Sequence, residues 1–325
     1  MSPILVRRLA WMLVGALGGL GLLLTLPERP VATVPGAAPP STRAELQTAR
    51  VALTDDHTDE PTRTTAPAQG LSPALRTLEL GGDLHALARE LLPAATAGDT
   101  ESQYGLALVV RECHFELSRN PDRAAFDRFL EGVPRRSGID PQQYAALQRD
   151  RFVACDGFRD DPIDRYGSDA EWFSRAAAGG HPIATLELEL RKVREAKPRD
   201  AEALHDAAVA ALATRRPDAF LLLLELEFPD EDGPATRDAA PNATAWRLLA
   251  CQRGYPCGPE ARWRREQFAF RGSQRAELGW DDALLFDMPA HEREQARDRA
   301  AELARALDAG ELDAVLPLPL REPQP

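Results

Sequence analysis

Lysine is almost missing from this 325-residue chain: Lys192 and Lys197 are the only two, and arginine carries the rest of the positive charge. Aromatic residues are scarce at 6%, methionine occurs three times and cysteine four times. Basic side chains are outnumbered, 39 against 51 acidic ones, for a formal net charge of −12. An acidic field of that size repels phosphate backbones and argues against a nucleic-acid partner. Several signatures are absent: no P-loop, no dinucleotide-binding glycine motif, no H-E-x-x-H and no G-x-S-x-G. No cofactor is called for by any of these patterns. The bias toward arginine and alanine fits a GC-rich bacterial genome.

One long apolar run stands out against this background. Residues 9–26 read LAWMLVGALGGLGLLLTL without a charge. As a helix they span about 27 Å, close to the roughly 30 Å of a bilayer's hydrocarbon core. Arg7 and Arg8 precede the run, and Glu28 and Arg29 follow it. The positive-inside rule then keeps residues 1–8 in the cytoplasm and sends everything beyond residue 27 across the membrane. A cleaved signal peptide is the competing reading. Against it, the run exceeds the roughly 7–15 residues of a signal h-region, and prolines crowd the small residues at Ala32 and Gly36–Ala38. The expectation is a signal-anchor in a bacterial inner membrane, with the C-terminal bulk in the periplasm.

Residues 27–70 are rich in Pro, Thr, Ala and Asp and have no sustained apolar period. Such a stretch buries too little surface to offset chain entropy, so a disordered linker is expected, about 35–40 Å from end to end. Its acidic run at Asp55, Asp56, His57, Asp59 and Glu60 reads as a solvated patch. A short disordered tail is expected at 317–325.

Between them, residues 71–316 are helical in pattern, with apolar residues at i, i+3 and i+4 and turns at Gly, Pro and Asp. The same pattern recurs. Ala94, Ala95 and Gly98 match Ala176, Ala177 and Gly180 at a shift of 82; a further shift of 35 sets Ala211 on Ala176 and Pro217 on Pro182. A last comparison sets Trp246 on Trp172, Ala250 on Ala176 and Gly254 on Gly180. Small alanines let a second helix approach closely, glycine supplies a left-handed cap, and the next apolar helix folds back. One hairpin cannot bury its own apolar face, so several must stack.

The segment WFSRAAAGGHPIATL from Trp172 onward, and more loosely LPAATAGDTESQYGLA from Leu92, resemble Sel-one-like repeats, relatives of the tetratricopeptide unit. The resemblance implies an all-α fold, a short α-solenoid of helical hairpins used for protein–protein contacts, and does not imply catalysis. The chain departs from the family in lacking the glycine loop that closes each unit. Residues 114–165 are also too long for one repeat, and are expected to hold an extra hairpin with helices near 121–131 and 141–155. The run 272–285 fits no unit. A final helix near 290–309 is expected to cap the array.

Cysteine chemistry depends on compartment. In an exported chain all four thiols are expected to pair, and four cysteines allow three connectivities. Cys251 and Cys257 flank a turn at Gly254 and Pro256, and Cys113 and Cys155 are each expected to end a helix, so 113–155 with 251–257 is favoured. Zinc-like spacing is missing, since Cys251 and Cys257 have no second close pair and His114 beside Cys113 is not repeated. The run Asp230, Asp232, Gly233 fails the calcium-loop pattern. Asn242-Ala-Thr244 fits a glycosylation sequon, which has no meaning in a bacterial host. Trp172 and Trp246 occupy matching positions and are expected to pack between hairpins. Trp263, among Arg262, Arg264 and Arg265, is the better candidate for a surface contact.

Two functions follow. The first is a membrane-tethered interaction module or scaffold that binds an envelope protein, with the membrane engaged through residues 9–26. The alternative is an envelope hydrolase with a site built from scattered carboxylates and histidines, or a cleaved and released periplasmic binding protein. An apolar or aromatic groove along stacked helices favours the first; titratable groups clustered in a deep pocket favour the enzyme.

Overall fold

Side-chain oxygens of Ser and Asp start six of the helices by accepting a backbone N–H three residues on. They do so in a computed structural model that describes residues 71–132, 141–195, 200–227, 239–271 and 278–316. These fall in one compact unit, Thr64–Pro325. The expected cytoplasmic residues 1–8, membrane span 9–26, linker 27–70 and tail 317–325 lie outside the described residues, as do Asp230, Asp232 and Gly233. Among the described residues no helix is long and apolar enough to cross a membrane. They are helical throughout, with no strand among them.

Ser72 caps α1 (Pro73–Leu80), Asp83 caps α2 (Leu84–Thr96) and Asp99 caps α3 (Thr100–Arg119), at 3.2, 2.9 and 2.8 Å. After α4 (Arg123–Glu131) and α5 (Pro141–Ala154) come two short 3-10 turns, Asp156–Arg159 and Ile163–Tyr166. Ser168 then caps α6 (Asp169–Ala178), and the imidazole of His181 caps α7 (Pro182–Arg194). The chain continues through α8 (Ala201–Ala213), α9 (Pro217–Glu227) and α10 (Ala239–Gln252) to α11 (Arg262–Arg271). It finishes with α12 (Trp280–Leu285), α13 (Ala290–Ala309) and α14 (Leu312–Val315).

Three tight turns fold α2 onto α3, α6 onto α7 and α8 onto α9, and the pairs join because α3 packs on α6 and α7 on α8. The aligned alanines close the turns. The carbonyls of Ala94, Ala176 and Ala250 accept the N–H groups of Asp99, His181 and Tyr255 at 3.0, 2.9 and 2.9 Å. This geometry needs a left-handed residue just before the acceptor's partner, and Gly98, Gly180 and Gly254 supply it with φ of 99°, 89° and 97°. In the α8–α9 turn the same place is taken by Arg215, at φ 56°. Leu106, Phe173, Ile183, Leu212, Phe220 and Trp246 are buried between these helices. Truncating one such phenylalanine costs about 3–5 kcal/mol.

Residues 120–168 loop out between α3 and α6, and they hold the extra helices expected there. Cys113 and Cys155 are bonded with their Cα atoms 5.3 Å apart, and Cys251 and Cys257 likewise at 5.7 Å. Cys155 does follow the end of α5, but Cys113 lies inside α3, which runs on to Arg119. That extra length is anchored by Glu116, which is fully buried and accepts from Asn120 Nδ2 at 2.7 Å.

The match at Trp246 gives a turn but not a hairpin. α11 leaves α10 and packs on α5 and α1, while α13 takes the place against α10. Ion pairs bridge this contact: Arg262 meets Glu112 at 2.8 Å and Arg265 meets Asp150, linking α11 to α3 and α5. The final helix buries Ala296, Ala300, Leu303 and Leu307. Small residues on that stripe let it lie close to α10.

Candidate functional site

The residues just after the turn glycines carry a polar clasp. Asp99, His181 and Arg216 occupy one repeat position, at the starts of α3, α7 and α9. His181 Nδ1 accepts from the Ala184 N–H at 3.2 Å and Nε2 donates to Glu101 at 3.0 Å, which fixes the tautomer. Arg216 donates to the same Glu101 at 2.6 Å and grips Asp218 with both ends of its fork, at 3.1 and 2.8 Å. The Tyr104 ring stacks on His181 with centroids 4.6 Å apart, and its hydroxyl donates to Asp218 at 3.4 Å. Burial pushes the Glu101 carboxyl up, but hydrogen bonds from His181 and Arg216 outweigh it and hold it at about 2. Tyr104 is pushed well above the ordinary phenol value by burial and by Asp218. Every group here has a partner, so the clasp ties three hairpin turns together and offers no free nucleophile.

A second cluster ties the looped-out segment to α2. The Tyr166 hydroxyl donates to Asp161 at 2.7 Å, and His85 Nε2 reaches the same oxygen at 3.1 Å. Those two bonds hold the Asp161 carboxyl at about 2, while burial and Asp161 push Tyr166 up to about 12. Phe158 meets the His85 ring edge-on at 5.0 Å. This is a latch between elements.

Two clefts remain. The smaller, about 40 Å³, lies among α1, α2, α3, α5 and α11. Leu78, Leu84, Leu147 and Ala154 line it beside Glu79, Glu112, Arg151 and Arg262. Burial pushes the Glu79 carboxyl up despite Arg262; Glu112 is buried too, but Arg262 and Arg151 together bring it down. The oxygens are already engaged. Glu112 accepts from Arg151 and Arg262 at 2.9 and 2.8 Å, and Glu79 from the Trp263 N–H at 3.4 Å and from the Tyr255 hydroxyl.

The larger cleft, about 400 Å³, is bounded by α9, α10, α11, α12 and α13. Leu224, Ala240, Ala243, Trp263, Leu284 and Met288 form its apolar wall. Thr244, Arg247, Asp287 and Glu292 add polar groups. Trp263 stands in this wall with its indole N–H donating to the Pro256 carbonyl at 2.8 Å, so the Cys251–Cys257 loop sets its orientation. The neighbouring arginines are internal. Arg262 and Arg265 hold α11 to α3 and α5, and Arg264, 1% exposed, donates to the carbonyls of Leu278, Gly279 and Trp280. Trp263, the residue expected at a surface contact, lines the larger cleft, and its three arginine neighbours do not.

Trp172 and Trp246 are buried, the first donating to the Tyr166 carbonyl and the second stacked on Phe220 at 6.3 Å. His114 is exposed beside the bonded Cys113. Among the described residues no group of His, Cys, Asp and Glu is placed to hold a metal ion.

Sequence reasoning missed the clasp and Arg247. The clasp had a signal, because the shifts of 82 and 35 that align the glycines also align Asp99, His181 and Arg216. Arg247 had none. Its guanidinium lies 5.7 Å over the Trp263 ring, half-buried, and burial pushes it below the ordinary arginine value against partial compensation from Tyr255, Glu79 and Glu266. No protein-family model matches this chain, and neither curated proteins nor solved structures give a match.

Proposed function

We propose that this chain is a binding module: a short α-solenoid of Sel-one-like hairpins, tethered to a bacterial inner membrane through residues 9–26, that docks an envelope protein in the periplasm. The observation that supports it best is the apolar, tryptophan-lined cleft bounded by α9 to α13. A groove of this kind along packed helices takes a peptide segment by burying its side chains, at about 25 cal/mol for each Å² of apolar surface removed from water. The two bonded cysteine pairs fit an oxidising compartment.

A hydrolytic reading draws on one feature, the carboxyls of Glu79 and Glu112 being pushed apart within the smaller cleft. It ranks second because both carboxylates are spent on arginine, tyrosine and backbone partners.

A photo-crosslinking residue at Ala240, on the wall of the larger cleft, tests the binding reading in intact cells. A discrete envelope-protein adduct that disappears in the Trp263→Ala variant is the expected result. Adducts to cytosolic proteins alone, or none, would overturn it.

A further inference from the structure

Among the described residues Arg247 is the one cation on the wall of the larger cleft, and its partners are unlike those of other half-buried arginines. Arg216, Arg262 and Arg151 each meet a carboxylate within 3.0 Å. Among the described residues no carboxylate and no carbonyl lies within bonding distance of Arg247, whose contact is the face of Trp263. Glu79 and Glu266 answer its charge only through space. A guanidinium carries five donors in a planar fork that matches a carboxylate. Half-buried beside an apolar wall, that fork is open to an acceptor brought by a ligand.

We propose, building on the binding reading above, that the larger cleft receives the apolar C-terminus of a peptide chain, whose terminal carboxylate is gripped by Arg247. Leu224, Ala243, Leu284 and Met288 take the last side chains. A cleft of about 400 Å³ suits a few residues rather than a whole helix. A chain end places a carboxylate and apolar side chains within those few residues. The rest of the wall favours a peptide over a fatty acid: Thr244 and Glu292 offer acceptors that backbone N–H groups satisfy and an acyl chain does not.

The full chain in lipid nanodiscs, with empty nanodiscs as blank, is titrated with a fluorescein-labelled peptide ending in Leu-Leu-Phe-Leu, as free acid and as C-terminal amide. The free acid is expected to bind about tenfold tighter than the amide, as a charge-assisted hydrogen-bond pair implies. Arg247→Gln is expected to bring the two together by weakening the acid form alone. Equal binding of acid and amide by the unmutated protein, lost in Trp263→Ala, overturns the carboxylate assignment and leaves the binding reading standing. No binding of either peptide overturns both. Dodecanoate binding that depends on Arg247 while the peptides stay free overturns the peptide in favour of an acyl ligand.

Discussion

Replacing Glu101 by glutamine tests whether the clasp at the hairpin turns stabilises the array. The carboxylate accepts from Arg216 at 2.6 Å and from His181 at 3.0 Å, joining the starts of α3, α7 and α9. Its carboxyl sits at about 2, against an ordinary 4.5. Because the folded value is the depressed one, this stabilisation is complete above the ordinary value and is lost as pH falls toward the folded one, a window of about pH 4.5 to 2. Shielded from water, that gap would correspond to about 3 kcal/mol. Glu101 is 40% exposed, however, and screening brings the contribution to about 1 kcal/mol. Urea unfolding of both proteins at 25 °C should show the glutamine variant about 1 kcal/mol less stable at pH 7, with an unchanged m-value. The difference should shrink to about half by pH 3, since the unfolded carboxyl is then protonated while the folded one is still ionised. Equal stability at pH 7, or a difference that widens on acidification, would refute the reasoning.

Arg216→Leu should be far more damaging, by about 3–5 kcal/mol, because it strands Asp218, whose side chain is 4% exposed, with only the Tyr104 hydroxyl; a loss smaller than that of the Glu101 variant in the same urea assay would sink the clasp. Replacing Cys113 and Cys155 by alanine should cost about 4 kcal/mol and replacing Cys251 and Cys257 about 2, since the bridges close loops of 42 and 6 residues' separation; the reverse order in thermal unfolding would contradict it. Arg215→Gly relieves a left-handed arginine and should gain about 0.5 kcal/mol after the added unfolded-state entropy, with a lower melting temperature as the opposing result.

The parts of the fold that are local in origin were legible in the sequence. The alignment of Ala94, Ala176 and Ala250 marks the carbonyls that close three turns, because that geometry is decided within six residues. The helices at 123–131 and 141–154 were legible from apolar spacing for the same reason. The path after Cys257 was not. Whether α11 folds back on α10 or crosses to α5 depends on Glu112 and Asp150, far away in sequence, and no periodicity reports on them. Arginine reads alike everywhere in a chain that uses little else for positive charge. Arg262, Arg264 and Arg265 beside Trp263 looked like a surface patch, but each is consumed by an internal partner, and Arg247, within an ordinary apolar helix, is the one left facing a cleft.

The candidate binding site arises where the repeat fails. A regular continuation would set the helix after the Gly254 turn against α10, as α7 lies against α6, and would fill the space beside Trp246. α11 lies instead on α5, with ion pairs to Asp150 of α5 and Glu112 of α3. α13 covers α10 instead, arriving through α12 rather than through a tight turn. With α13 on α10 and α11 carried off to α5, the space between them becomes the cleft, with Trp263 on one wall and Leu284 and Met288 on another. The Cys251–Cys257 bridge sits at the point of divergence and orients Trp263 through the Pro256 carbonyl. Breaking this short bridge should therefore weaken ligand binding more than its small share of stability suggests, whereas breaking Cys113–Cys155 should do the opposite.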